Sequence, residues 1–183
     1  MLQSRVHAAS CPCCGDLLSR ELSRRRFIAG AGAALACAPG LALAATGNYE
    51  AMVLSCIDPR LQEPVRRYLV GRHLSGKYSH FVIAGAGVGV VAPAFQDWHK
   101  TFWDNLGASV QLHHIKRVIV VNHRDCGAAK MAYGAEAVAS RESEHATHRI
   151  ALAQFRKQLA ERHPNLKVET GLMALNGRME MMA

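Results

Sequence analysis

Two short clusters in this chain, Cys56-Ile57-Asp58-Pro59-Arg60 and His123-Arg124-Asp125-Cys126, supply two thiols, an imidazole and a carboxylate beside a guanidinium. That is the inventory of a catalytic zinc site. Zinc takes borderline-soft sulfur and nitrogen donors, and a site built from two Cys and one His leaves a fourth position for water or a replaceable carboxylate. The residue types point first to zinc-dependent hydrolysis or hydration, with Cys56, His123 and Cys126 as ligands. Two plainer readings stay open: Cys56 and Cys126 could form a disulfide, and Asp58 with Arg60 could be an exposed ion pair.

The elements around the clusters alternate between strand and helix. Ala51 to Ser55 is a short apolar run ending at the first cluster, and Gln62 to Val70 can form a helix stopped by Gly71. His80 to Ile83 reads as a second strand, leading into Gly85-Ala86-Gly87-Val88-Gly89. After Pro93, the residues Phe95, Trp98, Phe102, Leu106 and Val110 recur at helical spacing and predict a long amphipathic helix. Val118 to Val121 is a β-branched run suited to a strand buried on both faces. Cys126-Gly127 opens a helix through Met131, which would lower the Cys126 thiol pKa through the local dipole. His145 to His163 is helical again, Lys167 to Leu175 is a last long strand, and Asn176-Gly177 can turn a hairpin into Arg178 to Met181. This order predicts an α/β fold, a single domain with a central, mainly parallel sheet flanked by helices. Both clusters then lie just beyond the carboxyl ends of strands, where distant residues can converge.

Four of the six cysteines, Cys11, Cys13, Cys14 and Cys37, fall in a segment with the features of a targeting leader. Ser23-Arg24-Arg25-Arg26-Phe27-Ile28 precedes a weakly apolar run from Ala29 to Leu43 and a small-x-small site at Ala42-Leu43-Ala44. The paired arginines make it a twin-arginine signal, recognised by that export machinery and sending the chain to the bacterial periplasm. Residues 1–44 are thus expected to be removed, leaving 45–183 as the functional domain with only Cys56 and Cys126 as thiols. The formal charge is +8. Arg5, Arg20, Arg24, Arg25 and Arg26 against Asp16 and Glu21 put +3 of it in the leader, and the rest is spread without a dense basic run. Nucleic-acid binding is not expected.

Other motifs have simpler readings. Gly85 to Gly89 lacks the third glycine of a dinucleotide fingerprint, with Val90 at that position, so it predicts a tight backbone turn beside the site. His113-His114 and His145-x-x-His148 are read as a solvated helix end and an exposed polar helix face.

The pattern C-x-D-x-R followed by H-x-x-C, present as Cys56, Asp58, Arg60, His123 and Cys126, resembles the zinc signature of the β-class carbonic anhydrases. Phe81-Val82-Ile83 followed by Ala86-Gly87 is similar to that family's glycine turn, and Asn105 to Val121 to the helix and strand leading into its histidine. The resemblance runs from about Met52 to Gly134 and more loosely to the end. It implies one zinc per chain on Cys56, His123 and Cys126, and reversible hydration of carbon dioxide to bicarbonate by zinc-bound hydroxide. It also implies that Asp58, paired with Arg60, assists the bound water or swings onto the metal as a fourth ligand. A homodimer or higher homo-oligomer is the family's default. The chain departs from the pattern at Ala84-Gly85, where the family usually has Arg-Asn, and at Asn122, where it usually has Gly. Hydrolysis of an analogue such as carbonyl sulfide or carbon disulfide, and a non-catalytic zinc or redox-responsive role, are the alternatives.

Overall fold

The computed structural model describes residues 47–183; the segment read as a leader, with its four cysteines, lies outside the described residues. Strand β1 (Ala51–Ser55) is followed by helix α1 (Pro59–Gly71), strand β2 (Tyr78–Val82) and a short helix α2 (Gly87–Val91). Next come the long helix α3 (Gln96–His113), strand β3 (Arg117–His123), helix α4 (Gly127–Tyr133) and helix α5 (Arg141–Arg162), and strands β4 (Lys167–Met173) and β5 (Met179–Met181) close the chain. The sheet runs β2-β1-β3-β4-β5. All pairings are parallel except that of β4 with β5.

Alternation along the central strands divides the core. Met52, Leu54, Val118 and Val120 face one side, where Phe102 and Leu106 of α3 and Leu152, Phe155 and Leu159 of α5 cover them. Ala51, Val53, Ile119 and Val121 face the other, against Leu61, Val65 and Leu69 of α1. Strands buried on both faces are what β-branched runs favour, and each fully buried large side chain contributes about 1.5–3 kcal/mol. The expected α/β domain with a mainly parallel sheet is the observed one.

Local differences from the sequence reading have local causes. Helix α1 starts at Pro59, three residues early, because Asp58 caps it and proline is preorganised for the first helical position. Helix α5 begins at Arg141 because Ser140 and Ser143 form a reciprocal capping box. The residues after Gly85 form a turn and then α2, with all five helical residues buried. The stripe proposed for the long helix holds only in part. A 3-10 turn over Pro93–Phe95 takes Phe95 out of helical phase, and Trp98 stacks on it near the surface with centroids 4.4 Å apart. Trp103 is the buried tryptophan instead.

The connections set the site. From β1 the chain moves outward to β2 on one side, and from β3 it moves to β4 on the other. The crevice above β1 and β3 is therefore a topological switch point, where open parallel sheets leave room for a site at the strands' carboxyl ends.

Candidate metal centre

Cys56 follows the last residue of β1, His123 is the last residue of β3, and Cys126 caps α4 three residues later. The structure brings them together: their ligating atoms all lie within 4.8 Å of one another, and all three side chains are buried. Both thiols are free, so the disulfide reading is not the arrangement seen.

The histidine is oriented for ligation. Its Nδ1 donates to the Arg124 carbonyl oxygen at 2.8 Å, which leaves the lone pair on Nε2, and that atom is buried with no hydrogen-bond partner. An imidazole nitrogen orphaned beside two thiols fits a soft divalent cation, and the carbonyl on the opposite nitrogen is the kind of outer partner that fixes a ligating tautomer. By residue type and orientation, Cys56, His123 and Cys126 fit zinc.

The two thiols shift one another in opposite directions. A hydrogen bond from Cys126 holds Cys56 down to about 4 against the opposing effect of burial, with smaller help from the Asp58 and Gly85 N–H groups. The same bond to Cys56, with burial, pushes Cys126 up. This differs from the expectation that the helix end would lower Cys126. The Ala128 and Ala129 N–H groups do act in that direction, but the neighbouring thiolate outweighs them. A divalent cation held there would stabilise both thiols as thiolates and displace protons from them.

The glycine turn has a direct role that its sequence does not advertise. Gly85, at φ +79°, donates its N–H to Cys56 Sγ at 3.2 Å. Gln62 fixes the loop on the other side, its side-chain amide donating to the carbonyl oxygens of Cys56 and Asp58, each at 3.1 Å.

Asp58 stands outside the cluster, turned toward Arg60. Arg60 Nε donates to Oδ1 at 3.0 Å and Nη2 to Oδ2 at 2.7 Å, and this contact holds the Asp58 carboxyl down to about 2. The guanidinium is shared with a residue the sequence reading had not singled out: Nη1 donates to Asp125 Oδ2 at 2.7 Å and Nη2 to the Asp125 carbonyl at 3.1 Å. Asp125 adopts φ +57°, and Glu144 of α5 accepts its backbone N–H while also accepting from Arg124 at 3.0 Å. Beside the cluster lies a cavity of about 780 Å³ lined by Asp58, Arg60, Asp125, Cys126, Lys130 and Glu136 among others.

Of the remaining histidines, His113 ends α3 and pairs with Ser79 Oγ at 2.8 Å, and His145 meets Glu180 at 3.0 Å on the surface. His148 is not on an exposed face. It is fully buried on the side of α5 that meets the sheet, because the helix turns it into phase with Leu152 and Phe155.

Comparison with known proteins agrees with this geometry. Residues 46–170 match the family described as "Putative carbonic anhydrase". An uncharacterized protein of Rickettsia conorii is 32% identical over 129 residues, covering 70% of this chain and 69% of its own length. One from Rickettsia bellii is 33% identical over 129 residues, covering 70% of this chain and 79% of its own. Among solved structures, the β-carbonic anhydrase CafA of Aspergillus fumigatus shares the fold with a TM-score of 0.51 at 16% identity, over 86% of this chain and 89% of that one. The extent of these matches, together with the converged Cys56, His123 and Cys126, shows that the chain belongs to this carbonic anhydrase family and carries a β-carbonic anhydrase-like fold.

Proposed function

We propose that this chain is a zinc-dependent carbonic anhydrase interconverting carbon dioxide and bicarbonate, with one zinc per chain on Cys56, His123 and Cys126. The observation that carries the reading is the buried, unpartnered Nε2 of His123 set among two thiols within 4.8 Å, beside a carboxylate that Arg60 holds off the cluster. Bound there, zinc supplies the Lewis acidity that brings a water ligand's pKa from 15.7 toward about 7.

The chain's own residues then do the rest. Arg60 holds the Asp58 carboxyl down to about 2, so at neutral pH its oxygens can accept a hydrogen bond from the attacking water and aim a lone pair at the carbon. Arg60 and Gln62 fix where that carboxylate sits. The cavity wall mixes cations with carboxylates, so a small neutral gas meets no charge barrier there. Exposed Asp125, its side chain 74% accessible, puts solvent within reach of the released proton. We also infer export through the paired Arg24 and Arg25, and self-association of the folded chain; fractionation of an Arg24→Lys/Arg25→Lys variant and sedimentation of the wild type test these.

The deciding experiment is stopped-flow carbon dioxide hydration with zinc content measured on the same sample. Hydration with one zinc per chain is the expected result. One zinc per chain with no hydration at alkaline pH would overturn the proposal.

A further inference from the structure

Asn122 and His148 form a fully buried pair behind the metal centre, and neither belongs to the ligand set. Their partners settle their orientation. Gly87 donates its backbone N–H to Asn122 Oδ1 at 2.9 Å, so the amide nitrogen is the atom facing His148 Nδ1 at 3.0 Å. An amide nitrogen only donates, so His148 Nδ1 accepts and its proton sits on Nε2. Burial keeps this ring neutral, holding it down to about 4.

Gly87 opens α2, and its N–H has no partner inside that helix. It also closes a turn in which two successive residues have positive φ, Gly85 at +79° and Ala86 at +50°. An alanine in that region is strained and persists only where its surroundings over-determine it. Two of the bonds holding the turn are local, Ala86 N–H to the Ile83 oxygen and Val88 N–H to the Gly85 oxygen, both at 3.0 Å. The third, Gly87 to Asn122, ties the turn to β3 next to His123. The turn in turn delivers the Gly85 N–H to Cys56 Sγ.

We propose that Asn122, oriented by His148, is a positioning residue that keeps the Gly85 N–H on the Cys56 sulfur and so sets how strongly that thiolate donates to the metal. This rests on the metal reading of the site and not on carbon dioxide as substrate. An N–H bond to sulfur draws electron density off the thiolate. A centre with two thiolates is charge-rich, so each such bond returns acidity to the metal.

Cobalt(II) in place of zinc reports the effect directly, through the thiolate-to-cobalt charge-transfer band of the full chain. Asn122→Ala removes the acceptor for Gly87. It should move that band to lower energy and weaken zinc binding roughly 10-fold or more, the usual consequence of losing an outer partner. Asn122→Asp retains an acceptor for Gly87 and should keep the wild-type band. His148→Leu, which frees the amide to rotate, should shift the band in the same direction as Asn122→Ala, and His148→Gln should restore it. Leu159→Ala, farther along α5, lowers stability without touching this chain of bonds and should leave the band in place. A cobalt-loaded Asn122→Ala protein with the wild-type band would overturn the proposal; if that variant does not fold, an unshifted band in His148→Leu would do so. A wild-type chain with no thiolate-to-cobalt band would instead remove the metal reading, and this inference with it.

Discussion

Asp58 accepts both the backbone N–H of Arg60, at 2.9 Å, and the Arg60 guanidinium. One carboxylate is thus the cap of helix α1 and the partner of the arginine that this helix presents. Any movement of Asp58 onto a metal held by the cluster would break a helix cap, about 0.5–2 kcal/mol, together with a charge-assisted fork.

That double role separates two variants. Asn is as good a cap as Asp, so Asp58→Asn should keep stability within about 0.5 kcal/mol of wild type, whereas Asp58→Ala should lose about 1 kcal/mol. Both remove the ionised acceptor, and hydration should fall about 100-fold or more in each at unchanged zinc content. Urea denaturation and stopped-flow assays on the same preparations check the split. Equal activity in wild type and Asp58→Asn would remove Asp58 from the chemistry.

Glu144 is buried with Arg124, their side chains 10% and 12% accessible, and its other oxygen holds the Asp125 N–H. Glu144→Ala would leave Arg124 with the half-exposed Glu180 at 3.2 Å as its remaining ion-pair partner and the Asp125 N–H without its acceptor, so it should cost about 2 kcal/mol. The Arg124→Ala/Glu144→Ala double variant should recover part of that loss. A cycle showing simple additivity would mean that the pair is not coupled.

The residues that converge at the candidate metal centre and the strands that carry them were legible in the sequence because their signals are local: two short motifs, and apolar runs of strand length in front of each. What surrounds the ligands was not legible. Gly85 acts through a backbone N–H, which has no residue type. Asp125 and Glu144 meet through a left-handed backbone and a helix 19 positions away. His148 looked like part of a polar face because Glu144 and Arg149 flank it, and only the observed rotation of α5, with Leu152 and Phe155 buried, turns it inward. The departure at Asn122 was visible as a residue, but its partner Gly87 lies 35 positions upstream.

His148 also gives stability a pH dependence. Burial places its folded pKa at about 4, below the ordinary 6.5. Its contribution is therefore complete above about pH 6.5 and is lost as pH falls through the folded value, because the unfolded chain takes up the proton first. For chelator-treated chains, the stability of wild type relative to His148→Gln should drop by up to about 3 kcal/mol between pH 7 and pH 4. A constant gap over that window would show that the ring titrates normally.

Gly89, in the short helix after the glycine turn, and Gly127, beside Cys126, should respond in opposite ways to the same added methyl group. A Cβ at Gly89 would stand 2.3 Å from the Ala84 carbonyl oxygen, which is backbone and cannot rotate away, so the segment that carries Gly85 to Cys56 must shift. Gly89→Ala should destabilise the fold by about 1–3 kcal/mol and reduce zinc retention. A Cβ at Gly127, beside Cys126 at the start of α4, meets nothing within 4 Å and extends a helix. Gly127→Ala should be neutral or stabilising by about 0.4–1 kcal/mol with zinc fully retained, since alanine also restricts the unfolded chain. Thermal denaturation with metal analysis compares them, and loss of zinc in Gly127→Ala but not in Gly89→Ala would mean that the Cys126 side of the centre, rather than the glycine turn behind Cys56, is where the backbone limits metal binding.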